Sequence, residues 1–113
     1  DPQRNRAMHQ ESLKLEDLAL EINQKLNKNG LAHILLPPTE MAHFKTLMKP
    51  LGFSTSREIH IKHNPVKSPF REMVVFSREK SIAQVSEFII RETDNVTYTE
   101  EFQTLMKDYY IIF

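Results

Sequence analysis

Apolar residues recur at helical spacing through the first quarter of the chain. Leu15, Leu18, Ala19, Ile22 and Leu26 stand at i, i+3, i+4, i+7 and i+11, a stripe that predicts a helix from about Met8 to Lys28. Residues 1–7 are polar and are expected to fray. Asn29-Gly30 supplies a left-handed residue to end the helix. Leu13 and Leu20 fall seven apart on nearly the opposite side. They read either as scattered surface leucines or as a second contact face.

The pattern then shortens. Leu31 to Leu36 (LAHILL) is apolar and is stopped by Pro37-Pro38, which predicts a strand. Thr39 can cap a helix through Met48 that turns Phe44, Leu47, Met48 and Leu51 inward, with Pro50 and Gly52 ending it. Arg57 to His63 alternates, Ile59 and Ile61 on one face and Glu58, His60 and Lys62 on the other, as in a half-exposed strand. Asn64 to Pro69 is a loop with two prolines, and Glu72 to Phe76 (EMVVF) reads as a central strand. Ser81-x-x-Gln84 resembles a capping box before a stripe of Ile82, Val85, Phe88 and Ile89, so a helix is expected from Ser77 or Ser81 to about Glu92. Thr97-x-x-Glu100 is a second capping box. It opens a segment with Phe102, Leu105, Met106, Tyr109 and Phe113 at helical spacing, whose last five residues are equally strand-like. The expected fold is α+β, a small antiparallel sheet of about three strands with helices mainly on one face, in the order α-β-α-β-β-α-α.

With 113 residues, the chain supports a single domain over 1–113. Because it begins at Asp1, it reads as a piece of something longer whose catalytic parts lie elsewhere. Fifteen basic and fifteen acidic residues balance, so bulk charge selects no partner. Residues 57–80 are net basic and residues 81–113 net acidic, a shallow polarity. The absence of cysteine excludes disulfides, thiolate metal sites and a cysteine nucleophile. No apolar run approaches the roughly 20 residues that span a membrane, so no membrane is expected and the location is read as intracellular, nuclear or cytoplasmic.

No chemistry stands out. His60 and His63 are three apart on an expected strand and point to opposite faces, His33 and His43 lie on other elements, and no metal is expected. Two isolated glycines cannot make a phosphate loop, and no cofactor is expected. No nucleophile or carboxylate pair separates from the background of charged residues, so no catalytic residue is assigned and the chain reads as a non-enzyme. What remains is a concentration of cationic groups: His43, Lys45 and Lys49 on the short helix, Arg57, His60, Lys62 and His63 on the next strand, Lys67 in the loop and Arg71 at the following strand. If they converge they form a phosphate-binding surface, with imidazole rings available to stack bases.

The central stretch resembles the Arg-x-x-x-His domain, a small module that binds single-stranded nucleic acid. The resemblance rests on Leu36-Pro37-Pro38, a helix leading to Leu51-Gly52-Phe53, Ser54 to Ser56, and Arg71-Glu72-Met73-Val74-Val75. The family's Arg and His fall on Met41 and Lys45, so the chain is similar to a degenerate member without the signature. The run from Leu31 to Glu92 also resembles an RNA-recognition motif, with Met73, Arg71, Ala32 and His33 where stacking aromatics belong. These resemblances imply a non-catalytic domain that binds single-stranded nucleic acid, RNA rather than DNA, inside a larger nucleic-acid-processing or regulatory protein. The alternative is a protein-interaction domain using Leu13 and Leu20 of the first helix and Phe102, Tyr109 and Tyr110 of the C-terminal segment.

Overall fold

A computed structural model describes residues 2–107. The choice between helix and strand for the last five residues, and Tyr109 and Tyr110 with it, lie outside the described residues. The chain forms α1 (Pro2–Lys25), β1 (Leu31–Leu36), α2 (Pro38–Met48), a 3-10 turn (Lys49–Leu51), β2 (Ser54–Lys62), β3 (Arg71–Ser77), β4 (Gln84–Ile89) and α3 (Glu100–Met106). The α+β class is the expected one.

The sheet has four strands in the order β1-β3-β2-β4. β3 runs antiparallel to both β1 and β2, while β4 runs parallel to β2. β1, β2 and β4 therefore share a direction, and their carboxyl ends meet along one rim of the sheet. α2 carries the chain from the end of β1 back to the start of β2, because parallel strands need a crossover rather than a hairpin.

The core lies between the helices and one sheet face. Leu15 and Ala19 of α1 and Met41, Phe44 and Met48 of α2 close on Ala32 of β1 and Val74 and Phe76 of β3. The Phe44 and Phe76 rings meet edge to face at 5.4 Å, a geometry that adds to simple burial. Pro37 and Pro38 start α2 with no side-chain cap, Pro38 sitting in the first turn where its missing N–H costs nothing. Thr39 lies inside the helix. Gly52 ends the helical run in the left-handed region at φ 92°.

Four local expectations change. α1 begins at Pro2 and ends at Lys25, and Gly30 is not left-handed, since Gly52 and Asn95 alone have positive φ among the described residues. Gly30 serves close approach instead, because a Cβ there would stand 2.8 Å from a Leu26 methyl carbon. The largest change is the segment expected as a helix from residue 77 or 81 to 92, which is a strand. Ser81 caps nothing and donates its hydroxyl to the Thr55 carbonyl at 3.1 Å. Ile82, the first member of the supposed stripe, is 94% exposed. Val85, Phe88 and Ile89 are β-prone residues, and the open edge of β2 supplies the backbone partners that decide the matter. The last helix is capped by Thr99, whose hydroxyl accepts from the Phe102 N–H. Thr97 serves the Asp94 turn instead.

The alternation of β2 also runs opposite to expectation. Glu58 and His60 lie opposite Val74 and Glu72 on the helix-covered face, while Ile59 lies opposite Met73 on the other. That second face carries Leu35, Ile59, Ile61, Met73 and Phe88, and α3 covers one side of it with Phe102 and Leu105. A groove of about 560 Å³ remains open there. No helix among the described residues is long and apolar enough to cross a membrane.

Candidate functional site

In open sheets with parallel strands, ligands settle outside the carboxyl ends of those strands, where loops diverge and backbone groups are unspent. Here that rim runs from Pro37-Pro38 after β1, past Phe70 and Arg71 at the start of β3, to His63 after β2 and Arg91 after β4.

Its centre is the loop joining β2 to β3. Asn64 is 4% exposed and acts as a pin. Its side-chain oxygen accepts from the N–H groups of Val66 at 3.0 Å and Lys67 at 3.1 Å, the local turn that Asn makes by standing in for a backbone carbonyl. Its amide nitrogen donates to Asn95 Oδ1 at 3.0 Å, tying this loop to the one after β4. Asn95 takes φ 59°, a conformation that Asn tolerates better than most residues. His63, Asn64, Lys67, Arg91 and Asn95 line a polar cavity of about 300 Å³.

Cations and flat rings alternate along it. The His63 imidazole stacks on Phe70 with centroids 3.8 Å apart and planes 9° from parallel. The Arg71 guanidinium lies 5.9 Å from the Phe70 centroid and donates to the Phe70 carbonyl. Arg91 lies over the Tyr98 ring at 4.9 Å and donates to the Asn95 carbonyl and the Tyr98 hydroxyl, each at 3.3 Å. Lys67 is exposed.

The nine cationic candidates read from the sequence do not converge. His63, Lys67 and Arg71 reach the rim. Lys45 forms an ion pair with Glu58, and Lys49 lines a cleft with Lys45 and Lys80 at the other end of β2. Lys62 sits 3.5 Å from Glu87 and donates to the Pro65 carbonyl. Arg57 points to the opposite sheet face, and His43 shares a hydrogen bond of 3.0 Å with the Ser12 hydroxyl of α1. His60 Nε2 lies 3.6 Å from Glu58 and 3.9 Å from Glu72. Glu58, His60 and Glu72 thus bring three ligand-type atoms within 4.8 Å of one another, with the Lys45 ammonium on Glu58 supplying positive charge. Burial would raise the Glu58 carboxyl, but Lys45 and His60 outweigh it and hold it below the usual range. Sequence reasoning missed Arg91, whose signal was hidden by the helix expected over it. His63, expected on a strand, lies just after the end of β2. Leu13 and Leu20 are 46% and 55% exposed, and Phe102 is half-buried between Phe88 and Tyr98.

No family model matches the chain. Curated proteins do. The chain is 30% identical over 112 residues to a tRNA1(Val) (adenine(37)-N6)-methyltransferase of Flavobacterium johnsoniae, covering 98% of this chain and 47% of that protein. It is 28% identical over 109 residues to the same enzyme of Flavobacterium psychrophilum, covering 96% and 46%. With that of Histophilus somni it shares 36% over 88 residues, 78% of this chain and 36% of the other. Among solved structures, one from Agrobacterium tumefaciens described as a predicted O-methyltransferase superposes with a TM-score of 0.72 at 16% identity, over 82% of this chain and 45% of that one. The chain spans about half the length of the curated relatives it matches.

These likenesses correct the expectations drawn from the sequence. The relatives are named as enzymes that methylate tRNA, and the fold is that of part of the Agrobacterium protein. The resemblance to Arg-x-x-x-His domains and RNA-recognition motifs therefore fails, and with it the reading as a non-catalytic binding module or a protein-interaction domain. The strand-helix-strand-strand order that suggested those modules belongs equally to this sheet. The difference comes after β3, where a parallel edge strand stands in place of the helix that the RNA-recognition reading needs.

Proposed function

We propose that this chain is one part of a methyltransferase that modifies an adenine of tRNA at N6. The observation that carries the reading is the match to proteins of that name over nearly all of this chain. The likeness in fold to part of a larger methyltransferase supports it.

The surface supports the reading as a part. β1 pairs with β3 on one side only among the described residues, and its outer edge offers unpaired backbone groups beside Leu31 and Leu35, which are 54% and 57% exposed. Apolar grooves flank this region on both faces. One is lined by Leu18, Ile22, Leu26 and Ala32, the other by Leu35, Ile59, Ile61 and Met73. An apolar edge strand left open invites pairing with another strand. The remaining half of the polypeptide is the natural occupant.

Methyl transfer requires a methyl donor, and the described residues do not fit a site for one. Gly30 packs closely on Leu26 and Gly52 ends the helical run before β2, so among the described residues no glycine-lined loop at the rim lets a cofactor approach the backbone. In this reading the donor site belongs to the other half, and this half contributes sheet, rim and substrate contacts. A tRNA substrate agrees with the expected intracellular location.

The test is methyl incorporation by the intact protein into a bulk tRNA pool, followed by nuclease digestion and mass spectrometry of the nucleosides. N6-methyladenosine is the expected product. No transfer, or transfer to a different atom, overturns the proposal.

A further inference from the structure

We propose that the cavity lined by His63, Asn64, Lys67, Arg91 and Asn95 binds a backbone phosphate of the tRNA substrate, a contact that rests on the proposed tRNA methylation. Three features carry it. The first is location, because the cavity lies just past the carboxyl ends of β2 and β4, the parallel pair of the sheet, the kind of rim where loops diverge and ligands settle.

The second is charge. Lys45 and Lys62 are held by Glu58 and Glu87, whereas Lys67 has no ion pair or side-chain hydrogen bond among the described residues. Arg91 is held in place by Asn95 and Tyr98 through two of its N–H groups. A guanidinium has five N–H donors in a fixed fork, so Arg91 retains others for an anion. Arg71 adds a further cation at the start of β3. Among the described residues, no carboxylate lines the cavity.

The third is construction. A solvated loop with a chance lysine needs no buried pin, yet Asn64 is almost wholly enclosed and spends its side chain fixing the Lys67 backbone and the Asn95 loop. The cavity therefore keeps its shape before anything binds, which lowers the ordering cost of association. The His63–Phe70 stack beside it extends a flat surface from the imidazole, a feature that suits an unstacked base next to the bound phosphate.

The experiment measures tRNA binding by the intact protein over a range of salt, together with KM and kcat for methyl transfer. Lys67→Ala, Lys67→Arg and Lys49→Ala are compared with wild type. Lys67 is exposed, so its replacement leaves the fold intact, and a melting curve checks this. Removing one phosphate contact is expected to weaken binding about fivefold and to reduce the salt slope by about one. KM for tRNA rises to match while kcat holds, Lys67→Arg restores binding, and Lys49→Ala at the other end of β2 changes nothing. If wild type methylates tRNA and Lys67→Ala keeps its KM and salt slope, the rim contact is refuted and the functional reading survives. If Lys67 governs tRNA binding but no methyl is transferred, the contact stands and the methyltransferase reading fails. Absence of tRNA binding by wild type overturns the contact.

Discussion

Arg78 joins the end of β3 to the end of α1, and its removal should be the costliest single change outside the core. An α-helix leaves its last carbonyls without intrahelical partners and carries partial negative charge there. Arg78 donates to the Asn23 carbonyl at 2.7 Å, to the Leu26 carbonyl at 3.3 Å and to Asn23 Oδ1 at 3.0 Å. Its guanidinium also lies 4.5 Å from the centroid of Phe53, a buried ring at the start of β2. A hydrogen bond to a charged group contributes about 1.5–3 kcal/mol net, and a partly desolvated cation over a ring about 1 kcal/mol. Water can replace part of the donor set once the side chain is gone, so the contributions do not sum. Arg78→Ala should lower stability by about 2–3 kcal/mol, read from the urea midpoint at unchanged m. Arg78→Lys keeps the charge but cannot span both carbonyls and the ring, and should recover less than half of the loss. An alanine variant within about 0.5 kcal/mol of wild type, the range of an ordinary surface change, would refute the clamp. So would a lysine variant equal to wild type.

Glu58 has a depressed folded carboxyl pKa, so its contribution to stability is present above the unfolded value and is lost as pH falls through the folded one. Lys45→Ala removes its main partner, leaves a carboxylate with a side chain only 13% exposed, and should move the acid-unfolding midpoint to higher pH; an unmoved midpoint sinks this account. Gly52→Ala meets no atom within 4 Å but keeps φ at 92°, so calorimetry should show a loss of about 1–2 kcal/mol from backbone strain alone. Leu35→Lys should destabilise the intact protein by about 2 kcal/mol if the β1 edge is covered there. An effect within about 0.5 kcal/mol would mark that face as free surface.

Much of the fold could be read from local pattern because local pattern caused it. The stripe on α1, the Pro-Pro stop after β1 and the Gly52 turn are short-range effects, and each lies where its residues predict or within a few positions. β4 was illegible for the opposite reason. Val85, Phe88 and Ile89 satisfy a helical period and a strand propensity equally, and the choice depended on the open edge of β2, nearly 30 residues away in sequence. The same long-range pairing hid the site. With β4 misread, the Arg91 loop had no reason to meet the Asn64 loop, and the cationic residues could be judged only by proximity in sequence. Sequence proximity gathered Lys45, Lys62 and Lys67 into one set. Carboxylates on neighbouring elements remove the first two, which no one-dimensional count of charges registers.

The arrangement of the sheet is compatible with the proposed substrate contact being formed within this chain alone. β2, β3 and β4 lie away from the open β1 edge, and the rim cavity is built wholly from the loops after β2 and β4. Its pins, the Asn64–Asn95 bond and the hydrogen bonds from the Ile90 and Arg91 N–H groups to the Lys62 and His63 carbonyls, cross only that closed part of the sheet. The open edge and the apolar face, by contrast, involve β1, α1 and the sheet surface beside α3. In the proposed enzyme, docking of the other half therefore has no need to reshape the cavity. It would bring a donor-bearing half alongside a rim whose cations already stand in place, so that RNA binding and methyl transfer can be separated by mutation on opposite sides of the same sheet.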